Sequence, residues 1–75
     1  MAIADAFLSE LDHAFDAIGE MPNTWPSYIL GTRRFLLHRF PYTVVYRRDE
    51  DVVRVIAVAH QRRRPAYWRS RLRHS

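Results

Sequence analysis

Two hydrophobic periods divide the chain. From residue 3 to residue 18, Ala4, Phe7, Leu8, Leu11, Phe15 and Ile18 return every three or four positions, with Asp5, Ser9, Asp12, Asp16 and Glu20 between them. At 3.6 residues per turn the two sets fall on opposite faces, which predicts an amphipathic helix over 3–19. Asp5 in the first turn complements the positive end of the helix dipole. Gly19 permits a left-handed cap and Pro22 forbids continuation. Residues 20–32 then hold the turn formers Pro22, Asn23, Pro26 and Gly31. Trp25, Tyr28 and Ile29 are too apolar for a free linker, so they are expected to lie across the sheet or the helix end.

Beyond Gly31 the period drops to two. Strands are predicted at 33–39, 42–48 and 52–60, with Pro41 at the entry to the second, where its missing donor is tolerated. Asp49, Glu50 and Asp51 form a polar hairpin connection without glycine. In the last strand, strict alternation puts Val53, Val55, Ala57 and Ala59 on one face and Val52, Arg54, Ile56, Val58 and His60 on the other. Short links make an antiparallel meander, and one face of it takes the helix. The tail, 61–75, opens with Arg62, Arg63, Arg64 and Pro65. It reads as a short helix or a basic tail, pinned by Trp68 and Leu72 with Arg69, Arg71 and Arg73 outward. The expected fold class is α+β, in a single domain spanning 1–75.

Composition narrows the setting. A 75-residue chain buries only about 60% of its unfolded surface, so little stability is in reserve. With no cysteine there are no disulfides or thiolate ligands, and a reducing cytoplasm fits. Arg54 interrupts the longest apolar run, which falls short of the ~20 residues that cross a bilayer. No basic segment precedes the first apolar residues, so neither membrane attachment nor a secretory leader is expected. Residues 1–22 carry five carboxylates and no cation, a net −5; the remainder holds all twelve basic residues, every one arginine, against three acids, a net +9. Such a basic part calls for an anionic partner, either nucleic acid or an acidic protein segment.

Most catalytic constellations are missing. His13, His38, His60 and His74 are too dispersed for a metal pair, no glycine-rich phosphate loop is present, and no serine sits in an elbow motif. No metal or cofactor is expected. What remains is His60 at a strand end, whose imidazole could act as a base, and the Arg/Tyr/Trp group after it. Arg63 and Arg64 could hold a phosphate or carboxylate, Tyr67 could supply a phenol, and Trp68 could stack on a base or fill a groove.

The order of an Arg-led strand, FPY-x-V-V-Y, and AVAH-x-x-R-x-P-x-Y-W resembles the RelE/ParE superfamily of bacterial toxins over about residues 3–71, with the ParE-like plasmid-stabilisation branch nearest. The resemblance implies a small α+β fold and a cognate antitoxin. It also implies one of two targets: mRNA on the ribosome, cleaved by RelE-like members, or DNA gyrase, inhibited by ParE-like members that are not nucleases. Thr43 and Gln61 stand where the nucleases carry basic residues, whereas Tyr67 matches their terminal tyrosine. Loss of two cations that stabilise transition-state charge weighs against scission.

The leading expectation is therefore a ParE-like toxin acting by protein binding, with Arg34, Arg62, Arg63, Arg64, Tyr67, Trp68, Arg69 and Arg71 binding the target or antitoxin. The alternative is an mRNA interferase using His60, Arg63, Arg64 and Tyr67. A third reading is an inactive remnant or small basic binding domain. The family's opening strand and first helix have no counterpart here, so an exposed sheet edge, self-association as a homodimer, and strong stabilisation by antitoxin are expected.

Overall fold

The computed structural model describes residues 3–63. Helix α1 (Ile3–Glu20) leads into three strands, β1 (Arg33–Leu36), β2 (Tyr42–Asp49) and β3 (Val52–His60), which form one antiparallel sheet in the order β1-β2-β3. This is the α+β arrangement expected from the sequence. The anticipated helix or tail lies outside the described residues from position 64 onward.

α1 forms where the 3.6-residue pattern lies and runs one residue past the expected end. Ala14 and Ile18 are buried, and Phe7 and Leu11 pack beside them against Val44 and Tyr46 of β2 and Leu37 after β1. Burial of these side chains is the main force seating the helix, because most helical stability in a protein comes from packing an amphipathic face. Trp25, Phe35, Phe40, Tyr42, Val53 and Val58 complete this layer. Phe7 links two of its aromatics, with its ring 5.2 Å from each of Phe40 and Tyr42.

β1 is shorter than the 33–39 expected. Leu37 N donates to Tyr42 O, closing the ladder, and the chain then turns through residues 38–41. Arg39 N donates instead to both carboxylate oxygens of Glu10, at 3.0 and 3.1 Å, tying the turn to α1. A helix side chain has taken a backbone donor that the sequence pattern assigned to a strand.

β3 does not alternate evenly. Val45 pairs with Ala57 but Tyr46 pairs with Val55, so Ile56 is an extra residue in a β-bulge. The bulge reverses the facing of everything on one side of it. Val53 and Val58 both pack on the α1 side, while Ile56, Ala57 and Ala59 form a second cluster with Val45 on the opposite face. The expected grouping of Val53 and Val55 with Ala57 and Ala59 is therefore corrected, as is that of Ile56 with Val58 and His60.

The connection wraps around the β1 edge. Trp25 packs on the α1 side, 4.6 Å edge-on from Phe35, while Tyr28 and Ile29 cover the other face. Between them, Ser27 bridges to Arg33, and Arg34 N donates to Pro26 O. A 3₁₀ turn at Ile29–Gly31 follows, with Leu30 and Gly31 both left-handed at φ 54° and 76°. Buried Thr32 holds it: its backbone N and hydroxyl both donate to Ile29 O, and its carbonyl accepts from Tyr28 N.

Tyr46 ties the two ends of this architecture. It is fully buried, and its hydroxyl donates to Pro22 O at 2.6 Å just past the end of α1. Burial pushes the phenol's pKa above its ordinary 10.0, and the neighbouring Arg33 guanidinium opposes part of that rise.

Candidate functional site

The end of the sheet opposite the β2–β3 hairpin gathers the residues singled out by their chemistry. Antiparallel pairing puts Tyr42 across from His60 and Thr43 across from Ala59, while Leu36 pairs with Thr43. The three strands therefore meet in one small hollow of about 70 Å³, bordered by Arg34, Thr43, His60, Gln61 and Arg63 and closed by Tyr28.

Arg34 is held over the Tyr28 ring, its guanidinium carbon 4.9 Å from the centroid. The stack orients the planar cation while leaving its edge donors available to an anion. Gln61 is partly committed, since its side-chain amide donates to Tyr42 O at 3.2 Å and its backbone N to Pro41 O. Arg63 N donates to His60 O, so the chain curls back on itself as it leaves β3.

The two strongest candidates for joint chemistry point apart. The Arg34 side chain belongs to the Tyr28 face, because Phe35 next to it packs on the α1 side. The His60 imidazole lies on the α1 side, 5.3 Å and nearly perpendicular to the Tyr42 ring, which in turn meets Phe7. Nδ1 of His60 accepts a hydrogen bond from Arg62 N at 3.1 Å. In the neutral imidazole this leaves Nε2 carrying the proton, as a donor rather than a base.

The hollow thus joins Arg34 and Arg63 and borders His60. Arg62 is exposed and does not border the hollow; its backbone N donates to His60 Nδ1. Arg64, Tyr67, Trp68, Arg69 and Arg71 lie outside the described residues. Sequence reasoning passed over Tyr28 as a packing residue; its signal was an aromatic in a turn-rich segment, but only the fold brings it to Arg34. Thr43 and Gln61, noted as departures from nuclease chemistry, line this same hollow. No group of three or more potential metal ligands occurs among the described residues. No described helix is long and apolar enough to cross a membrane.

Among the described residues, one α-helix packs on a three-stranded antiparallel meander that presents Arg34 stacked on Tyr28 at the end of the sheet. The chain belongs to the ParE toxin family of the type II toxin–antitoxin system, parDE, whose family model matches residues 2–65. No curated protein and no solved structure matches it. Membership implies a toxin whose protein partner is an antitoxin.

Proposed function

We propose that this chain is a ParE-like toxin that inhibits DNA gyrase through protein binding, acts in the bacterial cytoplasm in the manner of a plasmid-stabilisation protein, and is neutralised by a cognate antitoxin. The observation that carries this reading is the composition of the hollow. Thr43 and Gln61 occupy it where a nuclease of this superfamily would place cations, and the Gln61 amide is turned to a backbone carbonyl. A site without those charges is poorly equipped to stabilise a pentacoordinate phosphate, yet Arg34 and Arg63 suit an acidic protein surface. The test is gyrase supercoiling with the purified chain, alone and with its antitoxin. Inhibition that the antitoxin relieves is the expected result; full supercoiling in the presence of folded chain would refute the mechanism.

Arg34 and Arg63 share one hollow that His60 borders, its imidazole turned to the other face, and this pair of cations supports a second reading, ribosome-dependent mRNA cleavage. Primer extension on translated messages after induction would then show new ends that disappear in His60→Ala. Tyr67 and Arg64 belong to the same assignment, and Tyr67→Phe tests the former.

A further inference from the structure

The hairpin end of the sheet, away from the hollow, holds a second cleft of about 480 Å³, a volume within the range of small-molecule sites. One wall is the connection, through Asn23 and Gly31, and the other is the hairpin tip, through Glu50 and Asp51. Arg33 and Arg48 complete the lining. Arg33 pairs with Tyr46, and Arg48 follows Tyr46 by two positions, so all three share the α1 face of the sheet. The fold therefore brings two cations and two anions from three separate segments to one concave surface.

These charges do not satisfy one another. Among the described residues no ion pair joins Arg33 or Arg48 to Glu50 or Asp51. Arg33 is half-buried, and its Nη1 donates to Trp25 O at 2.6 Å, which fixes the guanidinium and leaves its other donors uncommitted. Arg48, Glu50 and Asp51 are exposed. The backbone around the cleft is also held in a disfavoured form. Leu30, Gly31 and Glu50 are the left-handed residues among those described; Gly31 and Glu50 line the cleft, and Leu30 precedes Gly31. Side chains other than glycine's resist this conformation, and it gathers where loops clamp a ligand.

We infer that this cleft binds a zwitterion of the amino-acid type, its carboxylate on Arg33 and Arg48 and its ammonium on Glu50 and Asp51. A lone anion is drawn to the arginines but repelled by the two carboxylates, and a lone cation meets the reverse. One molecule carrying both charges answers both pairs, and the Asn23 amide adds a neutral donor and acceptor. The cleft is separate from the hollow at the other end of the sheet, and the inference holds whichever target the toxin acts on.

Three series of probes of matched length are titrated into the isotopically labelled full chain: ω-amino acids from glycine to aminohexanoate, the corresponding alkanoates, and the corresponding alkylamines. At the best chain length the amino acid is expected to shift the amides of Asn23, Gly31, Arg48 and Glu50 saturably, about tenfold more tightly than either singly charged relative. Glu50→Gln with Asp51→Asn should abolish its advantage over the alkanoate, and Arg48→Gln its advantage over the alkylamine. Arg33 is left in place because it also ties the connection to β1. The three substituted positions are exposed, and circular dichroism checks the fold; if one variant fails to fold, the other decides alone. A peptide with blocked ends and neighbouring lysine and glutamate side chains separates the two sources of such a ligand. Binding of the peptide alone makes the occupant a protein segment, and binding of the amino acids alone makes it a free small molecule. Equal binding of all three series, an advantage that survives the substitutions, or no saturable shift with any zwitterion overturns the inference.

Discussion

Tyr46 concentrates more of the fold than any other single side chain. Its ring fills the α1 side of the sheet and its hydroxyl satisfies Pro22 O, so Tyr46→Phe keeps the packing and strands a carbonyl. That substitution is expected to cost about 1 kcal/mol in chemical denaturation. The raised phenol pKa adds a pH signature with a definite sign. The folded state holds the proton more tightly than the unfolded one, so its contribution is intact below the ordinary value of 10.0 and is lost as pH rises through the folded pKa. Thermal melts should therefore fall more steeply above about pH 10 for the wild type than for Tyr46→Phe. At the sheet end, Arg34→Ala removes the cation stacked on Tyr28. Because Arg34 is exposed, the expected change is in partner affinity, with melting temperature nearly constant; calorimetric titration with the antitoxin reads the first and thermal unfolding the second.

Among the elements, the β2–β3 hairpin is the clearest case of sequence and backbone in tension. Its turn contains no glycine, and Glu50 takes a left-handed conformation at φ 57°. An L-residue there costs about 1–2 kcal/mol relative to glycine's freedom, and glycine returns part of that through the entropy of the unfolded chain. Glu50→Gly is therefore expected to stabilise by about 0.5–1 kcal/mol, read as a higher denaturation midpoint with unchanged slope. α1 stands at the opposite extreme: its seat depends on two fully buried residues. Ile18→Ala opens a cavity between α1 and the sheet and should cost about 2–5 kcal/mol, a large share of the stability available to so small a protein. A cooperative melt retained near the wild-type temperature would contradict the view that α1 is held by that contact.

At the scale of the molecule, β3 is an edge strand among the described residues, and Leu8, Phe15, Val52 and Val55 are exposed, leaving apolar surface in water. A partner that binds only the folded form raises stability by mass action. The antitoxin is accordingly expected to lift the melting temperature by several degrees at saturation, and an unchanged melt with the partner present would argue against a shared apolar interface. The isolated chain is expected to self-associate or to be poorly soluble, which light scattering over a concentration series measures.

The sequence by itself determined the helix and the existence of the three strands, because each has a pattern that one backbone geometry satisfies, but not the end of β1 or the 3₁₀ turn at Ile29–Gly31. The 3.6-residue return of Phe7, Leu11 and Ile18 admits a helix, the β-branched runs at 42–48 and 52–60 admit strands, the first of which runs on through Asp49, and short links between strands leave only a meander. The arginine-rich sheet end was legible for the same reason, as a local run of charge. Three matters were decided only in three dimensions. The bulge at Ile56 reassigned the faces of β3, because register depends on the partner strand rather than on alternation along one chain. β1 ended at Leu36, and Arg39 N, which the pattern had placed in a strand, found Glu10 from 29 residues away, a partner no window of sequence contains. Tyr28 reached Arg34, and the His60 imidazole turned to the opposite face, because a hollow is made where distant segments converge. Periodicity is a property of neighbours along the chain; a site is a property of neighbours in space.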